Sequence, residues 1–270
     1  MSPRPDPALL HDFVTFAEEL AGVAAAAILP HFRATLPVQD KGDGSLFDPV
    51  TEADRAAERA MRVLIVERFP DHGIKGEEYA DRHADADYVW VLDPIDGTKS
   101  FILGFAGWGT LIGLTHRGKP ILGLMSQPFT AELFVGTGNE AHYRGPLRAG
   151  ALKTRSCAGL DRAMLTTTSP TLIADATDRA RFRALEEVVR LSRYGGDCYA
   201  YCMIADGYVD LVAETGLKMH DVVPLIPIIE GAGGIVTSWT GGPANAGGRV
   251  LAAGDRKIHA EALQILAGRG

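Results

Sequence analysis

A short apolar run of β-formers, Val89-Trp90-Val91-Leu92, stops abruptly at Asp93-Pro94-Ile95-Asp96-Gly97-Thr98, and this junction limits what the chain can become. Pro94 restricts the backbone where the strand ends, and Gly97 permits an unusual dihedral or the close approach of a ligand. Two carboxylates therefore straddle a strand end and the turn that leaves it. Such a turn can aim both carboxylates and the Ile95 carbonyl at one point. That is the oxygen-rich set a hard cation such as Mg²⁺ takes, with water completing its octahedron. A helix beginning at Gly97-Thr98 would add free N–H groups, an anion site beside the cation. A plain Asx-turn closing a buried strand uses the same residue types, so the junction alone leaves both readings open.

The flanking pattern mixes helices and strands. Leu10, Phe13, Val14, Ala17, Leu20 and Ala21 recur at helical spacing, which predicts a long helix over residues 7–34. Turn residues at 41–45 break it, and a second helix is expected from the N-cap Thr51 until Pro70 stops it. Strands are expected at 110–115 and 121–125, joined as a hairpin, with 132–135 beside them. Helices predicted at 178–191, 199–206, 222–230 and 255–267 alternate with strands at 208–213 and 234–237. A soft boundary near residue 150 divides an N-terminal part, 1–150, from a C-terminal part, 151–270. The segment Gly136-Thr137-Gly138-Asn139-Glu140-Ala141 fits a loose dinucleotide-binding pattern, but His142-Tyr143-Arg144-Gly145-Pro146 after it does not open a helix, and that reading is set aside.

With 46% hydrophobic and 23% charged residues, the chain of 270 suits a globular protein with a large core. A net charge of −7 argues against nucleic acid or a membrane surface as partner, since both are met by clustered Lys and Arg. An acidic protein still meets a phosphate where divalent cations mediate. Cys157, Cys198 and Cys202 have neither a disulfide framework nor a zinc spacing, and are read as reduced, buried packing residues. The polar, Pro-rich start and an apolar stretch at 21–30 too short to span a bilayer point to a cytoplasmic protein.

Three further acidic sites have ordinary readings in isolation: Asp54 in the first turn of a helix, the Glu77-Glu78 pair after Gly76, and Asp221 beside His220 before an apolar helix. Together, residues 48–54, from Asp48 to Asp54, with 76–78, 90–100 and 221–234 resemble the motifs of the inositol monophosphatase superfamily, in its order and approximate spacing, through nearly the whole chain. The resemblance implies an α+β fold, a layered αβαβα sandwich. It also implies Mg²⁺ dependence with two or three ions per active site, hydrolysis of a small phosphorylated substrate, and commonly a homodimer. Carried over by position, Glu77, Asp93 and the Ile95 carbonyl would hold a first metal, and Asp93, Asp96 and Asp221 a second. Glu77 would assist a third. Thr98 with Asp54 would orient and help deprotonate the attacking water, and the Gly97 and Thr98 amides would contact phosphate. Metal ions suit this chemistry because they lower the pKa of a water and neutralise the phosphoryl and departing oxygens. Lys99-Ser100 departs from the inositol-specific members.

The resemblance places Glu214 against the substrate alcohol, and Asp197, after Gly195-Gly196, joins it if both face the pocket; a solvated strand end and an N-cap are their ordinary readings. Two such carboxylates favour a cationic amino alcohol over an uncharged polyol, and this region resembles the histidinol-phosphate phosphatase branch. L-histidinol phosphate is the expected substrate. A broad inositol monophosphatase is the first alternative, a nucleotide 3′-phosphatase a lesser one, and a non-catalytic binding protein on the same fold an alternative of another class.

Overall fold

The structure is a computed structural model that describes residues 6–34, 39–40 and 49–268. Asp48 and the turn at 41–45 lie outside the described residues.

Helix α1 (Pro7–Ile28) starts on the N-cap Asp6, whose carboxylate accepts from the Ala8 amide at 2.8 Å, and buries Phe13, Phe16, Ala17, Leu20, Ala24 and Ile28 along one face. It stops short of the predicted 34. The chain turns through a single 3₁₀ turn, Leu29–His31, because Pro30 has no amide to continue the helical ladder. By length and hydropathy alone residues 7–31 would pass as a membrane span, yet the stripe just named packs into the protein. Helix α2 (Glu52–Arg68) lies against α1, after a two-residue ribbon of β1 (Gln39–Asp40) and β2 (Pro49–Val50).

A seven-stranded sheet follows, in the order β3 (Gly73–Gly76), β4 (Tyr88–Asp96), β5 (Gly109–His116), β6 (Lys119–Gln127), β7 (Glu132–Gly136), β8 (Ala141–Arg144) and β9 (Ala149–Ala151). Only β3 and β4 are parallel; the other pairs are antiparallel. Arg117 and Gly118, at φ 50° and 75°, make the predicted β5–β6 hairpin with the primed-turn geometry that matches strand twist. The set-aside dinucleotide pattern is the β7–β8 hairpin connection. Residues 145–148 join β8 to β9 within this sheet.

A five-stranded sheet is ordered β11 (Leu191–Tyr194), β10 (Met164–Thr167), β12 (Leu211–Leu217), β14 (Gly248–Ala253), β13 (Ile235–Ser238). Helices α5 (Asp197–Ala205) and α7 (Leu225–Gly231) pack between the two sheets, with the one-turn α6 (Met219–Val222) at their edge. Helices α4 (Ala176–Val188) and α8 (Arg256–Leu266) cover the far face of the second sheet. The layers therefore run αβαβα, as expected.

Three apolar clusters fill the spaces between layers. The first sets α1 and α2 on the large sheet, where Phe13 and Phe16 meet the fully buried Trp90 edge-on at 6.2 and 5.4 Å. Losing one such ring costs about 3–5 kcal/mol. The second holds α5 and α7 between the sheets, and the third holds α4 and α8 on the small one.

Some expected elements change form. The helix predicted over 178–191 ends at Val188, and its last predicted residue, Leu191, opens β11, paired in parallel with β10. The helix predicted over 222–230 is two pieces, α6 and α7, separated at Val223-Pro224. Strands β10 and β14 were not anticipated, although β14 lies between β12 and β13.

Candidate functional site

Strand β4 is buried from Val89 to Ile95, and its pairing with β5 slips between Asp93 and Asp96. An irregularity of this kind re-aims side chains that strict alternation would separate. The turn closes on Gly97 at φ +83°, in the left-handed region, and α3 (Thr98–Ile102) begins at once. The expected helix start at Thr98 is thus present, and the Thr98 amide lies outside its hydrogen-bonded ladder.

One carboxylate oxygen each from Asp93, Asp96 and Asp221 lie within 4.8 Å of one another. Glu77, Asp93 and His220 form a second group to the same criterion, so Asp93 belongs to both. Asp221 is fixed by the Lys218 amide, which donates to its Oδ2 at 2.6 Å, and Asp96 by the Cys198 amide, which donates at 2.7 Å. The four predicted carboxylates thus converge. The Ile95 carbonyl accepts from the Thr98 hydroxyl at 3.0 Å and retains a second lone pair.

This convergence is electrostatically costly. Burial, then repulsion from Glu77, Asp96 and Asp221, pushes Asp93 well above the usual carboxylate range. Asp96 is raised in the same way, first by burial and then by Asp221 and Asp197. Burial also raises Asp221, against the lowering effect of His220. Asp93 Oδ1 is buried with no hydrogen-bond partner, and among the described residues no Lys or Arg forms an ion pair with Asp93 or Asp96. Stacked oxygen donors with an orphaned carboxylate oxygen at their centre fit divalent cations.

Asp54 is buried at the start of α2, where the Thr51 amide and hydroxyl both donate to its Oδ2, at 2.8 and 2.6 Å. Burial, offset in part by Thr51 and reinforced by Glu78 and Glu77, pushes its pKa to about 6. Thr98 and Asp54, expected to act together on the attacking water, each have a bond of their own: Asp54 accepts from Thr51, and the Thr98 hydroxyl donates to the Ile95 carbonyl. The N-terminal capping box claims Asp54 first because its donors are only three residues away.

Glu58, one turn further along α2, is fully buried and had no role in the sequence reading. Its carboxylate accepts from the Glu78 amide at 2.8 Å and from Arg62 Nε at 2.7 Å, while Arg62 also donates to the Tyr79 and Ala80 carbonyls. The segment carrying Glu77 is therefore held from α2. Gly76 is obligatory there, since a Cβ would lie 2.0 Å from Glu58 Oε1. The signal was present in the sequence: Asp54 and Glu58 fall on the same face as Ala53, Ala57, Met61 and Ile65.

Beyond Asp96 and Asp221 lies a cavity of about 140 Å³ whose walls include Asp197, Glu214, Thr168 and Leu217. Asp197 Oδ2 accepts from Ser100 Oγ at 2.7 Å; burial raises its pKa, while Ser100, Thr168 and the charge of Lys99 lower it. Glu214 is 5% exposed, with both oxygens engaged, by the Thr168 amide at 2.6 Å and the Tyr201 hydroxyl at 2.9 Å. Both predicted substrate-selecting carboxylates line this cavity. Tyr201 and Thr168 were missed, and only the fold brings them to Glu214.

The sequence profile of the inositol monophosphatase family matches residues 9–269. The bifunctional phosphatase IMPL2, chloroplastic, of Arabidopsis thaliana is 44% identical over 268 residues, covering 95% of this chain and 75% of the relative. The histidinol-phosphatase of Mycobacterium tuberculosis is 34% identical, covering 95% and 98% of the two chains. An inositol monophosphatase structure from Zymomonas mobilis superposes with a TM-score of 0.84 at 43% identity, covering 95% of this chain and 98% of that one. With the layered fold and converged carboxylates already in place, these likenesses show that the chain belongs to the inositol monophosphatase family and is a phosphoric monoester hydrolase.

Proposed function

We propose that the protein hydrolyses L-histidinol phosphate to L-histidinol and phosphate, with Mg²⁺ as its cation. The observation that carries this reading is the acidic cavity: Asp96, Asp197, Glu214 and Asp221 all line it, and no Lys or Arg is among its lining residues. A cationic amino alcohol is attracted into such a space, whereas a neutral polyol gains nothing from its charge. Relatives named histidinol-phosphatase support the reading.

In this proposal Glu77, Asp93, the Ile95 carbonyl, Asp96 and Asp221 hold two or three divalent ions. Those ions supply positive charge against the phosphoryl and leaving oxygens and acidify water. The chain's residues do the rest. Asp54, whose pKa burial raises to about 6 in the cation-free protein, accepts a proton from the attacking water, and the Thr51 hydroxyl holds its carboxylate in place. The Gly97 and Thr98 amides contact the phosphate, with the Thr98 hydroxyl tied back to Ile95. Asp197 meets the substrate cation, and Glu214 adds charge from behind Thr168 and Tyr201. A cytoplasmic homodimer accompanies this reading, and light scattering on the purified protein tests the dimer.

Phosphate release by purified protein with Mg²⁺ across histidinol phosphate, inositol 1-phosphate, fructose 1,6-bisphosphate and adenosine 3′,5′-bisphosphate tests the substrate. The proposal expects histidinol phosphate to be turned over best, and expects Asp197→Asn to weaken its turnover more than that of the other esters. Preference for inositol 1-phosphate would overturn it in favour of the second reading. That second reading has support of its own, in the likeness to the Zymomonas mobilis inositol monophosphatase.

A further inference from the structure

The geometry points to His220 as a nitrogen ligand at the Glu77–Asp93 end of the cation cluster, which makes the two neighbouring metal positions chemically unlike. The inference rests on the cation-binding reading of this site and concerns which cation each position prefers.

Helix α6 places two consecutive residues, His220 and Asp221, against β4. Asp221 turns toward Asp93 and Asp96, and the His220 ring offers a nitrogen that lies, with oxygens of Glu77 and Asp93, inside the same 4.8 Å limit. Donors about 2.1 Å from one ion lie up to about 4.2 Å apart, so a small inward movement brings all three into one coordination sphere. Two observations argue that the ring is aimed at a ligand rather than merely packed. Its side chain is only 14% exposed, yet its contact with Asp221 Oδ1 is 3.4 Å, long for a hydrogen bond to a carboxylate. Beside it, in the same group, is Asp93, whose Oδ1 is buried without any hydrogen-bond partner.

The consequence is set by donor softness. An all-oxygen set, as at Asp93–Asp96–Asp221, suits Mg²⁺. Replacing one oxygen by neutral imidazole favours Co²⁺ or Zn²⁺ strongly, and Mn²⁺ by less, over Mg²⁺, which gives up water reluctantly. The shared Asp93 carboxylate would bridge a position selective for Mg²⁺ and one selective for a transition metal.

Electron spin-echo spectroscopy of the wild-type protein loaded with about one equivalent of Mn²⁺ tests the ligand directly. We expect nitrogen modulation that changes on ¹⁵N-histidine labelling and disappears in His220→Gln, which keeps a polar group beside Asp221. By calorimetry, Mn²⁺ affinity should fall at least about tenfold in that variant, against a change of less than about threefold for Mg²⁺. Tight Mn²⁺ binding without nitrogen modulation, or equal losses for both ions, would overturn the assignment of His220 while leaving the oxygen site standing. Failure of the wild type to bind either ion would overturn both.

Discussion

Replacing Asp54 by Asn separates the two tasks this side chain performs. Both Thr51 donors reach the same oxygen, Oδ2, so an Asn carbonyl oxygen can accept both and keep the capping box. What the variant removes is a buried negative charge beside Glu77 and Glu78. The folded-state pKa is raised from 3.8 to about 6, so the folded chain holds a proton that the unfolded chain has released between those values. The favourable contribution is therefore complete below pH 3.8 and is lost as pH rises through about 6. At 1.36 kcal/mol per pH unit, ionised Asp54 costs the cation-free protein about 3 kcal/mol above that window. Urea unfolding in EDTA should find Asp54→Asn more stable than wild type by up to about 3 kcal/mol at pH 8, with the gap closing toward pH 4. Phosphate release should meanwhile fall by at least about 10², as for loss of a general base. A gap that does not change with pH, or a variant less stable than wild type at pH 8, would refute the reasoning.

Asp93→Asn should abolish hydrolysis and saturable Mg²⁺ binding while leaving the cation-free melting temperature equal or higher, because a crowded buried charge is removed; a lower temperature in EDTA would contradict this. Adding Mg²⁺ to about 100 times its Kd should stabilise the wild type by about 2.7 kcal/mol in chemical denaturation, reversed by EDTA. Gly97→Ala places a Cβ 3.1 Å from Asp197 at φ +83° and should cost about 1–2 kcal/mol, read in urea unfolding. Glu58→Ala strands Arg62 and the Glu78 amide, so a loss of about 3–5 kcal/mol is expected, with weakened Mg²⁺ binding by calorimetry.

Much of the site could be read from residue order because its chemistry is dense locally. Asp93, Asp96, Gly97 and Thr98 occupy one turn, so spacing and residue type raised a cation site there beside the plain-turn reading, while Asp54 gained its role only from the family resemblance. The segments also carried the family resemblance, which brought Glu77 and Asp221 to the same place. What escaped was contact between remote segments. Glu58 looks like any acid on a charged helix until β3 is laid beside it. One partner of Glu214 is Tyr201, a residue on α5 that the close approach of α5 and β12 brings within reach. Strands β10 and β14 escaped for a related reason: each is short, and its pairing with β12 lies outside local pattern. Pro224 was visible, but whether it bends or divides a helix depends on what packs around it.

The link between Asp96 and the Cys198 amide, together with that between Ser100 and Asp197, ties the signature turn to the first turn of α5. On the proposed reading, selectivity and cation affinity would share these struts. A change at Asp197 made to admit a new alcohol would also disturb the frame that steadies Asp96. Ser169, Leu172 and Leu217 line the same cavity and lie outside those two links. Substitutions made to admit other esters should therefore disturb the cation frame less at those three positions than at the acidic end of α5.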